Sequence, residues 1–185
     1  DVFDAAELTK AVQGARPDAI IHQLTDLAFA PGTPRYQEGL ARNARLRVEG
    51  TRNLVDAAIA AGVDRMVAQS IAFIYASGAG ARVESDPLLP ANETAAAVTA
   101  LEEAVLSLPH GVVLRYGYFY GPGTWSGDKP SRAPAIHVDA AAQATLLALG
   151  KVERGIYNIA EDAESLSSDK AKRDLGFDAG FRTAV

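Results

Sequence analysis

Three tyrosines stand at alternate positions in the second half of the chain, at Tyr116, Tyr118 and Tyr120. Alternate residues of an extended segment face the same side, so the sequence predicts that these phenols share one face. A phenol can move a proton in catalysis when its surroundings adjust its pKa. Tyr116 and Tyr118 are therefore candidate catalytic residues, and plain aromatic packing is the alternative.

Further candidate residues end two apolar runs earlier in the chain. Ser70 ends one run, where its hydroxyl could orient a substrate carbonyl or bond only to the backbone. Gln23, Leu24 and Thr25 end another run, which makes them candidate ligand contacts or a simple transition into a loop. His22 lies inside that run and has no Ser and Asp at the spacing of a hydrolase triad. We expect it to be packed and hydrogen-bonded.

The composition narrows the class of protein. The chain has 185 residues, of which 48% are hydrophobic, and this suits one domain with a real core. A net charge of -5 argues against nucleic acid as a main partner. With no cysteine there is no disulfide, thiol nucleophile or zinc-thiolate site. No apolar run approaches the roughly 20 residues that span a membrane, and no signal peptide is recognisable, so we expect a cytoplasmic protein.

The candidate residues lie on strands that alternate with helices. Apolar runs predict strands at Ala19–Ile21, Met66–Ser70, Val112–Tyr116 and Tyr157–Ile159. Helical spacing predicts long helices at Tyr36–Ala61 and Glu93–Leu108. In the first, Val48 is expected on the inner apolar face and the arginines on the solvated face. Alternating strands and helices are typical of a parallel sheet, which binds ligands at the carboxyl ends of its strands. The sequence therefore predicts an α/β fold with a site at that edge of the sheet.

Seven short motifs then occur in one order. They are Asp1-Val2, Pro17–His22, Glu49–Leu54 (which contains Gly-Thr-x-Asn-Leu), Gly62–Val67, Leu114–Tyr116 with Tyr120–Gly123, His137–Asp139 and Tyr157–Ile159. With these motifs in this order, the chain resembles the NAD-dependent epimerase/dehydratase family, that is, the extended short-chain dehydrogenases/reductases. The resemblance covers nearly all 185 residues, although no single motif is specific.

The resemblance implies a Rossmann-type parallel sheet that binds NAD or NADP, in an oxidoreductase that acts on a small molecule such as a nucleotide sugar. Residues 1–185 would form one NAD(P)-binding domain, with a small substrate-side portion around 121–185. The resemblance places the cofactor near Asp1, Val2, Gln23, Leu24, Thr25, Ser70 and Tyr116. It also implies a homodimer formed by the two long helices, with Leu46 facing the partner.

Two departures from the family pattern affect these expectations. The strand and glycine-rich phosphate loop that open the family fold are absent from this sequence, so the 185-residue chain is expected to bind NAD(P) weakly by itself. The family's Tyr-x-x-x-Lys is also absent. With Glu103 as the anchor, Ala95 and Thr99 take its two positions, and no Tyr or Lys occurs between Ala76 and Pro109. Neither Ala nor Thr can supply the proton that the Tyr normally exchanges.

Three interpretations remain open at this stage. The first is an oxidoreductase that acts on a hydroxyl or carbonyl, whose proton relay comes from Ser70, Tyr116 or Tyr118. The second is a sensor or regulator that holds NAD(P) without chemistry, which the missing Tyr and Lys favour. The third is an interaction domain with no cofactor.

Overall fold

The computed structural model describes residues 1–27, 29, 32–90, 92–151 and 154–183. Within these residues, four strands form a parallel sheet in the order β1-β2-β3-β6. The strands are β1 (Ile20–His22), β2 (Arg65–Ile71), β3 (His110–Tyr116) and β6 (Gly155–Ile159). Each predicted strand exists with ends shifted by one or two residues, so the predicted parallel α/β sheet is confirmed.

Helices cover both faces of this sheet. The helices are α1 (Ala5–Ala15), α2 (Tyr36–Arg45), α3 (Thr51–Ala60), α4 (Glu93–Leu106), α5 (Val138–Lys151) and α6 (Asp169–Leu175). One core lies between the sheet and α3 and α4, where Met66 and Val113 are fully buried. The other core lies between the sheet and α5 and α6, where Val67 and Val112 are buried. Neighbouring residues of one strand thus point to opposite cores, as the pleat requires.

The helix predicted over Tyr36–Ala61 contains a π-helical segment, Leu46–Gly50, between α2 and α3. A π turn bonds residue i to residue i+5, and this changes which side chains face inward. Val48, expected on the inner face, is 44% exposed, whereas Leu46 and Arg47 are buried. The prediction that Leu46 faces a partner subunit is therefore wrong, because this side chain packs inside its own chain.

The extended segment predicted at Tyr116–Tyr120 is divided at Gly117, and Tyr118–Tyr120 forms a separate strand, β4. It pairs in parallel with β5 (Ala135–His137), a strand that the sequence did not predict. Gly117 makes the turn from β3 into β4 possible. A Cβ atom there would come 2.7 Å from the carbonyl oxygen of Pro134, to which the Tyr118 amide donates a hydrogen bond of 2.8 Å. The pair β4–β5 carries the chain over the carboxyl edge of the sheet. Among the described residues, no helix has the length and apolar character needed to cross a membrane.

Candidate active site at the carboxyl edge of the sheet

A buried ion pair lies directly beneath the carboxyl edge. The guanidinium of Arg115 on β3 donates two hydrogen bonds to the carboxylate of Glu102 on α4, Nε to Oε1 at 2.8 Å and Nη2 to Oε2 at 2.6 Å. Ser70 on β2 donates a third, from Oγ to Oε1, at 2.7 Å. All three residues are nearly inaccessible to solvent. The hydroxyl proton of Ser70 is thus engaged below the site, and the residue ties two strands to α4.

The same ion pair continues to the loop that follows β2. Arg115 Nη1 donates to the Tyr75 hydroxyl at 2.7 Å, and Tyr75 donates to Asn158 Oδ1 on β6 at 2.6 Å. The backbone N–H of Asn158 donates to Glu84 Oε1 at 2.8 Å. Burial raises the pKa of Tyr75, so its phenol stays protonated. This chain of hydrogen bonds holds the loop against the strand ends.

Tyr116 lies on the other side of the sheet, beneath α5. Its hydroxyl is 2.6 Å from Thr145 Oγ1, and the ring is almost completely buried. Burial raises the pKa of Tyr116 to about 12, and the Thr145 hydrogen bond opposes this only in part. The ring borders an apolar cavity of about 390 Å³ that Gln23, Phe119 and Leu146 also line. A phenol held in this way is a poor proton donor or acceptor near neutral pH.

Tyr118 differs from Tyr116 because part of it remains accessible. Its ring stacks on Phe73, with centroids 4.1 Å apart and planes 5° from parallel. The guanidinium of Arg132 lies 5.5 Å from the centre of the Tyr118 ring. Tyr120 points elsewhere, since its hydroxyl bonds Glu161 and receives a hydrogen bond from Arg182. The three tyrosines therefore have separate partners.

A cleft of about 520 Å³ opens beside the Phe73–Tyr118 stack. Its walls come from the residues that follow β2 and from the second half of the chain. They include Ala72, Phe73, Tyr75, Arg82, Pro134 and Glu164. The cleft thus combines an aromatic wall with one cationic and one anionic side chain, at the edge where a parallel sheet binds ligands.

The residues proposed for the cofactor lie at the carboxyl end of β1. Gln23, Leu24 and Thr25 are all exposed there. At Asp1 and Val2 the chain makes a turn, in which the Asp4 amide donates a hydrogen bond of 3.2 Å to the Asp1 carbonyl oxygen. The carbonyl oxygen of Val2 accepts a hydrogen bond of 3.0 Å from Asn53 Nδ2, which ties the segment to α3. Within the described residues, no group of three or more His, Asp or Glu could hold a metal ion.

His22 is packed and hydrogen-bonded, as predicted. Its Nε2 lies 2.8 Å from Thr51 Oγ1, and its Nδ1 accepts a hydrogen bond from the Leu24 amide. Burial, reinforced by the charge of Arg47, lowers the pKa of His22 to about 4. The ring is therefore neutral at physiological pH and acts as a structural link between β1 and α3.

Sequence reasoning missed Arg47, Glu102 and Phe73. The arginines of the long helix were expected to be solvated, and Arg47 is buried because it lies in the π segment. Glu102 is followed directly by Glu103, which is exposed. Only the exact helical phase decides which of the two carboxylates points inward. No local signal distinguishes Phe73 from a core residue, because the feature that matters is its stacking contact with Tyr118, which is distant in the sequence.

Helix α4 carries Ala95 and Thr99 where the resemblance places the Tyr and Lys. Ala95 is buried and Thr99 is half-buried. Asn92 caps the helix by accepting a hydrogen bond of 2.8 Å from the Ala95 amide. Because the helix continues regularly through both positions, no backbone irregularity brings another Tyr or Lys to them.

This parallel sheet, with helices on both faces and exposed residues at its carboxyl edge, defines a Rossmann-type fold. Residues 1–135 match the model of the NAD dependent epimerase/dehydratase family, and the chain belongs to this family. The resemblance drawn from the sequence is thus confirmed.

One curated relative is the 3-diazoavenalumate denitrifying reductase of a Streptomyces species, 37% identical over 188 residues. That alignment covers 88% of this chain, and the chain spans 61% of the relative's length.

Solved structures agree on the fold. The dTDP-glucose 4,6-dehydratase DesIV of Streptomyces venezuelae has a TM-score of 0.77 and 21% identity, and the match covers 98% of this chain and 74% of DesIV. The UDP-glucose 4-epimerase of Thermotoga maritima has a TM-score of 0.75 and 18% identity, over 98% of this chain and 78% of that one. The enzyme WbmG of Bordetella bronchiseptica has a TM-score of 0.72 and 20% identity, over 99% and 73%.

Proposed function

We propose that this protein is an NAD(P)-dependent reductase of a small molecule, and that it works without the Tyr–Lys proton relay of its family. The observation that carries the proposal is the pair Ala95 and Thr99 on α4, which leaves the relay positions without an acid or base. The 37% identical relative is named a reductase, which supports the reaction class. The exposed carboxyl edge of the sheet supplies the place for the reaction.

The residues at that edge fit a dinucleotide. Gln23, Leu24 and Thr25 form an exposed row at the end of β1, and such a row is where parallel sheets of this fold hold their cofactor. Asp1 and Val2 are proposed for its adenine end. Ser70 and Tyr116 would support the nicotinamide end from below, since both hydroxyls already bond protein partners.

We propose a substrate whose reduction needs no proton from the protein. Bound NAD(P)H supplies a hydride, and loss of dinitrogen from a diazonium carbon balances with that hydride alone (R–N2⁺ + H⁻ → R–H + N2). The name of the curated relative, a denitrifying reductase of a diazo compound, favours this class. The Phe73–Tyr118 stack beside the cleft offers a flat aromatic surface against which a planar ring can pack. In this reaction the protein's work is to orient the ring and exclude water.

A second candidate is reduction of a carbonyl group, including that of a nucleotide sugar. Tyr118 favours it, because this residue is only half-buried, whereas Ser70 and Tyr116, the other proposed catalytic residues, are buried. Its phenol would then donate the proton that the carbonyl oxygen needs. The two candidates differ in whether the Tyr118 hydroxyl is required.

Isotope tracing tests the proposal. The protein would be incubated with an aryl diazonium carboxylate and with NADH or NADPH that carries deuterium at the transferable C4 position. We expect one deuterium at the carbon that bore the diazo group, together with release of dinitrogen. Deuterium on the carbinol carbon of a ketone substrate, with no diazonium turnover, would favour the second candidate. Saturable cofactor binding without turnover of either class would favour a sensor and contradict the proposal.

We further propose a cytoplasmic homodimer formed by the α2–α3 helix and α4. The outer surface of α4 carries the small residues Ala96 and Ala100, which allow close approach of another helix. Val48 is an exposed apolar residue on the neighbouring π segment, and it replaces Leu46 as the expected contact. The absence of cysteine and the acidic net charge are compatible with the cytoplasm.

A further inference from the structure

Arg47 occupies an unusual place for a charged residue. It lies in the π-helical segment Leu46–Gly50, and only 8% of its surface is exposed. Short π segments inside α-helices occur frequently at functional sites, because they turn a side chain into a position that a regular helix would not give it. Here the side chain turned inward is an arginine, while apolar Val48 faces solvent.

The charge of Arg47 has no direct partner among the described residues. Its guanidinium makes neither a hydrogen bond nor an ion pair within 4 Å there. The equally buried Arg115 provides the contrast, since Glu102 and Tyr75 accept its hydrogen bonds. A guanidinium carries five N–H donors, and burying them without acceptors is costly. The nitrogens of Arg47 are not among the described side-chain atoms that are both unpaired and fully buried, so its tip retains contact with solvent.

The tip of Arg47 lies near the carboxyl ends of β1 and β2. Its charge acts on His22, which ends β1, and on Glu102, which holds Ser70 of β2. Thr51, four residues further along and on the same side of the helix, contacts the His22 ring. The helix from α2 to α3 runs antiparallel to β1 and so leads away from the carboxyl edge of the sheet. Arg47, which precedes Thr51, therefore lies closer to the ligand-binding edge.

The neighbouring helix presents small side chains toward Arg47. The π segment packs against α4, whose residues toward that edge include Ala95 and Thr99. Side chains of this size occupy much less volume than the Tyr and Lys expected there from the family pattern. An unpaired guanidinium beside small side chains is suited to a bidentate oxyanion, because the planar fork of an arginine matches two oxygens at once.

We propose that Arg47 binds the oxyanion of the substrate, a carboxylate or a phosphate, at the carboxyl edge between β1 and β2. This inference deepens the proposed function and rests on it for the statement that the ligand is the substrate. The site fixes one end of the molecule, and the cleft beside Phe73 and Tyr118 receives its ring. A carboxylate-bearing aromatic substrate would satisfy both.

Arginine side-chain NMR tests binding without any need for turnover. The Nε–Hε signal of Arg47 would be assigned by its loss in Arg47→Met, and the protein titrated with benzoate, with the neutral isostere benzamide and with inorganic phosphate. We expect a saturable shift with benzoate, none with benzamide, and at least a tenfold loss of benzoate affinity in Arg47→Met. A shift with phosphate and not benzoate would assign the site to a phosphate-bearing substrate. No shift with either anion would overturn the proposal.

Thermal unfolding separates this role from a structural one. Replacing a buried unpaired charge by an apolar side chain removes a desolvation penalty, so Arg47→Met should raise Tm by about 2 °C or more. Arg115→Met, which leaves Glu102 buried without its partner, should lower Tm and serves as the matched control. A fall in Tm for Arg47→Met similar to that of Arg115→Met would show that Arg47 stabilises the fold, and would also overturn the proposal. Anion binding with no diazonium turnover would leave Arg47 assigned and refute only the proposed reaction.

Discussion

Removing Glu102 should lower the free energy of unfolding by more than any change to an exposed ion pair. Glu102→Ala deletes a carboxylate that accepts two hydrogen bonds from Arg115 and one from Ser70 in a nearly dry environment. Burial disfavours the charged form of Arg115, but the hydrogen bonds to Glu102 and the negative charge of that carboxylate hold the pKa of Arg115 above its usual value. Without Glu102, the charge remains buried with Tyr75 as its main partner.

The expected cost is about 3–5 kcal/mol, the usual result of removing one partner of a buried ion pair. With a urea m-value of about 2 kcal/mol/M, the unfolding midpoint should fall by about 1.5–2.5 M. Urea titration followed by far-ultraviolet circular dichroism measures this directly. The double variant Glu102→Leu with Arg115→Met should recover most of the loss, because it removes both charges and retains side-chain volume.

The pair Arg45–Glu49 is a control with the same geometry and a different environment. Its guanidinium also donates two hydrogen bonds to one carboxylate, at 2.6 and 3.1 Å, but the side chains are 59% and 43% exposed. Glu49→Ala should shift the urea midpoint far less than Glu102→Ala does, because solvent screens the exposed pair. A loss of similar size for Glu49→Ala and Glu102→Ala would refute the argument that burial decides the energy.

Three further predictions concern pH, packing and assembly. Burial lowers the pKa of His22 to about 4 from the ordinary 6.5, so its contribution to the free energy of unfolding is complete above pH 6.5. As the pH falls from 6.5 toward 4, the protein should lose about 3 kcal/mol of stability. Urea titrations of His22→Gln should lack this loss. Gly111→Ala would place a Cβ atom 1.9 Å from the Val105 carbonyl oxygen and should cost more than about 3 kcal/mol, whereas Gly155→Ala, whose nearest neighbour is a side-chain atom at 3.4 Å, should cost less than about 1 kcal/mol. Light scattering should report a dimer for the wild type and a monomer for Val48→Glu, and a monomeric wild type at tens of micromolar would rule out the proposed assembly.

The sheet was predictable because its signal is both strong and local. Buried parallel strands such as Val112–Tyr116 are nearly continuous apolar runs, and each run is bounded by a helix. The strand β5 and its pairing with β4 were missed because three residues give too little periodicity, and the pairing depends on the close approach at Gly117. Short pairs of this kind are decided by tertiary contacts, which a single sequence does not display.

The candidate site was only partly predictable. The sequence located the carboxyl edge through Gln23 and Ser70, but it could not show that the Ser70 hydroxyl bonds a carboxylate on another helix. The inward position of Arg47 depends on one π turn, and the α-helical period assigned that face to Val48. Irregular hydrogen bonding in a helix leaves no clear trace in the spacing of its residues.

The rate of hydride transfer in Tyr118→Phe tests the central claim most directly. The variant removes one hydroxyl and keeps the ring that stacks on Phe73. Single-turnover reduction of an aryl diazonium carboxylate, followed by nicotinamide absorbance, should proceed within about twofold of the wild-type rate, because the proposed reaction takes no proton from the protein. An acid/base hydroxyl is worth about 100-fold or more, so a loss of that size would contradict a reductase that works without a proton relay.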